Sequence, residues 1–404
     1  MQLRLFNTSG PRCLDGTTAG YYVDSAAGSG RGSMHGGAGA QVVVWLEGGG
    51  ACFSEDDCEQ RAKGDLGSSK GWSQSMTPNS HSHGLLSTDA DVNPDFGGFL
   101  HVYVPYCSGD VWYGDAPTAL NPWAAERAAA PARRLSKVGW EGYFQGHLIV
   151  QAVLDDLFGG SGSSVYAQPP SELVLTGCSA GGIGTFGNCD YVAKQFPGAR
   201  VVCRPEAGYF GLPIKTYKTY IAGLPDHDMH HISNANWTQQ VISWVKTEPT
   251  PMAACVADGS AWVQPDDDCD GDEELLLCCH SPPYFMPYIE TPLFVSEATA
   301  DAYQVFTQGA APEEDTPQVV AYVEYLRGIL SGSLERVVAR GKRLEQNGLF
   351  APACLQHCMS WNGSSAGLVQ GKDLQEAFGD WYNGRAKGAA AMLLDNNTSV
   401  STKC

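Results

Sequence analysis

Gly177-Cys178-Ser179-Ala180-Gly181 sets a serine between small residues in the pattern GxSxG. That spacing suits a nucleophile. A serine on a tight strand-to-helix turn has its hydroxyl pushed out, and small flanking residues keep the turn from clashing. The pattern alone is weak in a chain with 48 glycines, and it recurs at Gly67–Gly71 and Gly363–Gly367. Neither of those copies follows an apolar strand or opens a helix, so both read as turns. Ser179 differs because Glu172–Thr176 (ELVLT) precedes it and a glycine-rich helix start follows. There the helix N-terminus aims free N–H groups and the positive end of its dipole at the reacting oxygen.

A nucleophile of this kind needs oxyanion donors, a base and an acid. One donor is the N–H after the serine, on Ala180. The other comes from a glycine loop after an earlier strand, and Gly48-Gly49-Gly50 supplies such a loop. The base is expected late in the chain. Of the five histidines after Ser179, His227, His230 and His231 share a polar loop that also suggests a metal site, and His280 is a fourth. Only His357 follows a plausible acid-bearing strand, and Cys354 and Cys358 flank it as a possible clamp. Asp301 stands a few residues after Thr291–Val295 (TPLFV), the position expected of the acid; Glu297 competes for the same role.

These groups require a scaffold. Gln41–Leu46 (QVVVWL), Phe99–Tyr106, Glu172–Thr176, Ala199–Cys203 and Thr291–Val295 are short apolar runs of strand length. Gly142–Phe158 has apolar residues at helical spacing and stops at Gly159-Gly160; Ala180–Phe196 and Pro317–Ile329 are the next helices. Buried strands alternating with helices predict an α/β fold with a mostly parallel sheet covered on both faces. With no separating linker and no repeat, residues 1–404 are expected to form one domain with long loops.

The bulk properties narrow the chemistry. The chain has 404 residues and a net charge of −19 with no basic run, which argues against nucleic acid. The same charge disfavours a densely ionised polyuronate unless it is esterified. Fourteen cysteines lack zinc spacing, and Cys278 and Cys279 are adjacent and so face different partners; disulfides and a secreted protein are expected. Sequons at Asn7, Asn236, Asn362, Asn396 and Asn397 agree. No signal peptide is recognisable in this chain and no stretch is long enough to span a bilayer. The pairing is not legible, and Cys178, beside the serine, is a candidate for a buried free thiol that leaves another cysteine unpaired. The acidic stretch 266–274 aligns in part with a calcium loop, but Leu277 stands where a bidentate Glu is needed, so a solvated acidic loop is expected.

Taken together, these residues resemble the pectin acetylesterase/Notum family of carbohydrate esterases. The likeness is carried by Cys13-Leu-Asp-Gly16, Leu46–Gly50, Tyr106-Cys107, Phe144-Gln-Gly146, Gly177–Gly182, Ala207–Phe210, Thr291–Phe294 with Asp301, and Cys354–His357. It implies an α/β-hydrolase-like fold. It further implies a triad of Ser179, Asp301 and His357, and oxyanion donors on Gly49, Gly50 and Ala180, which favours Asp301 over Glu297. Ala51 stands where plant members carry tryptophan, whereas Tyr106–Trp112 is closer to the animal Notum proteins. Plant members resemble polysaccharide O-deacetylases; Notum removes a long acyl chain from a secreted signalling protein. The expectation is therefore a serine esterase without cofactor or metal, acting as a monomer on an acetylated polysaccharide such as pectin or on an acylated substrate. A non-catalytic secreted binding protein on the same scaffold and a metal-dependent hydrolase using residues 227–231 are the rival readings.

Overall fold

The structure is a computed structural model, and it describes residues 1–24, 39–52, 54–77, 84–124, 139–159, 164–166, 168–210, 244–246, 249–258, 272–307, 317–340, 344–360 and 367–395. Nine strands occur among them: β1 (Gln2–Leu5), β2 (Gly20–Val23), β3 (Gln41–Leu46), β4 (Leu100–Val104), β5 (Glu172–Cys178), β6 (Arg200–Glu206), β7 (Phe294–Ser296), β8 (Gly348–Ala351) and β9 (Met392–Leu394). They form one sheet in the order β1-β2-β4-β3-β5-β6-β7-β8-β9. Only the β1–β2 and β2–β4 pairings are antiparallel.

The helices are α1 (Glu55–Arg61), α2 (Gly146–Phe158), α3 (Ala180–Gln195), α4 (Thr250–Asp258), α5 (Asp272–Cys279), α6 (Pro282–Phe285), α7 (Ala302–Thr307), α8 (Pro317–Arg340) and α9 (Leu374–Tyr382). The central strands are apolar throughout because both faces are covered. In β3, Val42, Val44 and Leu46 enter one core cluster while Val43 and Trp45 enter the other. In α2, Ile149, Val150, Val153, Leu154, Leu157 and Phe158 are buried, an i, i+3/i+4 stripe lying in the first cluster. On the opposite face α9 contributes Leu374, Ala377, Phe378, Trp381 and Tyr382, and Asp373 and Glu376 form a capping box at its start.

Each strand and helix expected from sequence is found, with shifted ends; the helix starting at Pro317 runs on to Arg340. The outer strands β1 and β2, and β8, β9 and α9 beyond the last expected elements, were not anticipated. Short strands of three or four residues carry too little periodic signal.

Five disulfides pair Cys13 with Cys107, Cys52 with Cys58, Cys178 with Cys358, Cys189 with Cys203, and Cys255 with Cys279. Cys278 is bonded too, separately from its neighbour, and so is Cys354. The free-thiol expectation for Cys178 is thereby corrected. It ends β5 with its Cα 5.7 Å from that of Cys358, well within bonding reach. No helix of the described residues is long and apolar enough to cross a membrane.

Candidate active site

The parallel register sets Leu46 beside Gly177, so the chain leaving β3 meets the chain leaving β5 at one edge of the sheet. Ser179 sits at that edge, between β5 and α3, with φ 60° and ψ −123°. A non-glycine residue with such a backbone costs on the order of 1–3 kcal/mol and persists only where its surroundings over-determine it. Here the Ser179 N–H donates to the Glu206 carbonyl at 3.0 Å, and its own carbonyl accepts from the Ile183 N–H at 2.9 Å. The turn has no room for side chains. A Cβ at Gly181 would lie 2.0 Å from the Leu46 carbonyl oxygen, and one at Gly48 would lie 2.5 Å from that of Cys178.

The glycine loop passes directly beside the serine, since the same Cβ on Gly48 would come within 3.0 Å of the Ser179 Cβ. Gly49 and Gly50 have φ values of 142° and 69°, which side chains resist. Ala180, the first residue of α3, is buried and has no intrahelical acceptor for its N–H. The loop is held from behind. Trp112 Nε1 donates to the Glu47 carbonyl at 3.0 Å, and the Tyr106 N–H to Glu47 Oε2 at 2.8 Å. Burial raises the Glu47 pKa, with the Tyr106 N–H and the Tyr103 hydroxyl opposing.

Asp301 and His357 come from the turns after β7 and β8, neighbours in the sheet. Asp301 is fully buried. Its Oδ1 accepts from the Gln304 N–H at 2.9 Å, and its Oδ2 lies 2.6 Å from His357 Nδ1. Beside a carboxylate Nδ1 carries the ring proton, which leaves Nε2 as the basic nitrogen. Tyr303 stacks on the imidazole at 5.3 Å, and Phe210 packs against it at 6.2 Å between centroids.

The Cys178–Cys358 disulfide joins the residue before Ser179 to the residue after His357. A ring nitrogen of His357 lies within 4.8 Å of both sulfurs, which are bonded to each other and offer no thiolate to a metal. The sequence reading expected a clamp at His357 but not its partner.

Other candidates fall elsewhere. His280 is buried with Nδ1 2.6 Å from the Leu276 carbonyl oxygen. Residues 227–231, the stretch 266–271 and four of the five sequons lie outside the described residues. Of the two other GxSxG matches, Gly67–Gly71 is a turn as expected, and most of Gly363–Gly367 lies outside the described residues.

Glu297 is fully buried and takes the Tyr209 N–H at 3.0 Å. Burial drives its pKa well above the carboxylate range, and the nearby Asp301 and Glu206 add to the rise. Burial thus favours its neutral form, and it braces the loop after β6.

Two contributors were missed from sequence. Glu206 gives its backbone carbonyl to Ser179 while its carboxylate takes the Ser360 N–H at 2.6 Å and the Arg204 Nη2 at 2.9 Å. It thus ties the serine turn to the histidine loop. Arg61 donates from Nη1 to the Gly49 carbonyl at 2.8 Å and from Nη2 to the Ala51 carbonyl at 3.2 Å. No motif marks either residue, because each acts through backbone groups distant in sequence.

The sheet order, the serine turn after β5 and the helices on both faces define an α/β-hydrolase-like protein. The crystal structure of the Wnt deacylase Notum from Drosophila has the same fold, with a TM-score of 0.71 and 23% identity over 100% of this chain and 98% of that one. The Pectinacetylesterase family model matches residues 2–404, and the chain belongs to that family of esterases. It is 27% identical to pectin acetylesterase 4 of Arabidopsis thaliana over 93% of this chain and 81% of the relative. It is also 27% identical to palmitoleoyl-protein carboxylesterase notum1 of Xenopus laevis, over 88% of this chain and 62% of the relative.

Proposed function

We propose that this chain is a serine carboxylic-ester hydrolase in which Ser179 is the nucleophile, His357 the base and Asp301 the acid that orients it. The observation that carries the reading is the 2.6 Å contact between Asp301 and His357, built one residue from a disulfide whose other end adjoins the strained serine. His357 Nε2 takes the Ser179 proton as the oxygen attacks the ester carbonyl. The N–H groups of Gly49, Gly50 and Ala180 stabilise the tetrahedral oxyanion. His357 then protonates the leaving alcohol, and water, deprotonated by the same nitrogen, releases the acid from the acyl-enzyme.

The substrate we favour is an O-acetylated cell-wall polysaccharide such as pectin, met outside the cell by a monomeric, secreted single-domain enzyme. The plant relatives named as pectin acetylesterases support this. The Notum relatives and the Tyr106–Trp112 segment support a second reading, removal of a longer acyl chain from a lipidated protein. Hydrolysis of p-nitrophenyl acetate and octanoate by wild type and Ser179→Ala tests both. A preference for acetate with an inactive variant is the expected result, and chelator should leave it unchanged. Preference for octanoate favours the second reading. Inactivity on both esters, or full activity in the variant, refutes the mechanism and restores the binding-protein alternative.

A further inference from the structure

The peptide between Gly49 and Gly50 is flanked by two glycines at positive φ, so no side chain opposes rotation of its plane. Oxyanion donation by the Gly50 N–H requires that plane to be fixed. In a planar trans peptide the carbonyl and the following N–H point in opposite directions. Arg61 Nη1 holds the Gly49 carbonyl at 2.8 Å, which turns the Gly50 N–H away from Arg61. Among the described residues, nothing accepts from that N–H. The next peptide but one is fixed at both ends: Arg61 Nη2 holds the Ala51 carbonyl, and the Cys52 N–H donates to the Gly109 carbonyl at 3.1 Å.

The local fold is organised to return Arg61 to this loop. The Cys52–Cys58 disulfide ties the end of the loop to α1, and Ser54 caps that helix through the Asp57 N–H. Arg61 is the last residue of α1, so its guanidinium reaches back over the bridged segment. No carboxylate among the described residues forms an ion pair with it, and its buried Nε has no hydrogen-bond partner. Instead the positive charge is spent on two carbonyl oxygens. Such a charge-assisted bond also polarises the peptide and strengthens the N–H at its far end.

We propose that Arg61 is a positioning residue for the oxyanion hole: it locks the Gly49–Gly50 peptide plane and polarises the Gly50 N–H. This rests on the serine-esterase reading above. The test compares wild type, Arg61→Met and Arg61→Lys on p-nitrophenyl acetate, with each preparation normalised by fluorophosphonate titration of competent serine. A trifluoromethyl ketone, which forms a tetrahedral oxyanion on the serine, reports the hole directly.

For Arg61→Met we expect kcat to fall about 10- to 100-fold, somewhat less than loss of a donor itself, with KM nearly unchanged. Ketone affinity should fall by a factor matching kcat/KM, and Arg61→Lys should recover part of both. A purely structural role would lower the titratable fraction and leave the kcat of the remainder intact. If Arg61→Met does not fold, the lysine variant, which reaches one carbonyl instead of two, is read the same way. Unchanged kcat per titrated site, or unchanged ketone affinity, overturns the proposal. An active wild type with an inactive Ser179→Ala would still leave the esterase reading standing, whereas an inactive wild type removes both.

Discussion

At the scale of single residues, the two acids near His357 have separate environments. Asp301 contacts the imidazole, while Glu297 is buried against the loop after β6 with a strongly raised pKa. Asp301→Asn should therefore lower kcat by roughly 10³–10⁴-fold, because the amide no longer selects the productive tautomer. Glu297→Gln should stay within a few-fold of wild type, since burial favours the neutral acid, which the amide resembles. Steady-state kinetics of the two variants decides the matter, and the reverse ranking would make Glu297 the acid. The sequence pointed to Ser179, His357 and the glycine loop because each lies in a recognisable pattern beside its strand. Asp301 needed the family resemblance, since position after β7 left Glu297 as an equal. Arg61 and Glu206 were illegible. Their work is done through carbonyls and N–H groups that only the folded register brings near.

Among the elements, the serine turn and the histidine loop are coupled by a covalent bond and by the Glu206 carboxylate. Replacing both Cys178 and Cys358 with alanine should cost about 2–5 kcal/mol of stability. It should also lower kcat well beyond any change in KM, because misplacing a base by a fraction of an ångström weakens proton transfer. Thermal melts paired with kinetics check both parts; a melt shift with intact kcat would make the bridge purely structural. Gly181→Ala tests the fit between α3 and β3. Its Cβ would lie 2.0 Å from a backbone oxygen, so α3 must move off the sheet, and a loss of at least 1–3 kcal/mol is expected in chemical denaturation. The central elements were readable because fully buried strands and amphipathic helices carry long, regular patterns. The outer strands are too short, and the cysteine pairing depends on which loops meet at the sheet edge.

For the whole molecule, burial of carboxyl groups imposes a pH dependence on stability. Glu297 ionises near 4.5 when exposed and far higher when folded. Asp110 is raised from 3.8 to about 6 by burial, against the opposing hydrogen bonds of Ser108, Gly146 and Trp112. A raised acid binds its proton more tightly in the native state. Its contribution is complete below the unfolded value and is lost as pH climbs through the folded one. Wild-type melting temperature should thus carry a component that declines from about pH 4 upward, and Glu297→Gln should flatten it at neutral and alkaline pH. A profile identical to wild type would mean that Glu297 is ionised in the fold. The single nine-stranded sheet also leads us to expect one unfolding transition in calorimetry, as for a single domain; two resolved transitions would divide the chain.

The order in which the site is assembled along the chain has a consequence for biosynthesis. The glycine loop, Ser179, Asp301 and His357 leave the ribosome in that sequence, and the serine turn acquires its bridge only when Cys358 emerges, 180 residues after Cys178. On the proposed mechanism, a nascent chain, or a product that stops short of His357, carries the serine without its base. On the same proposed mechanism, hydrolytic competence arrives only after most of the sheet has been made.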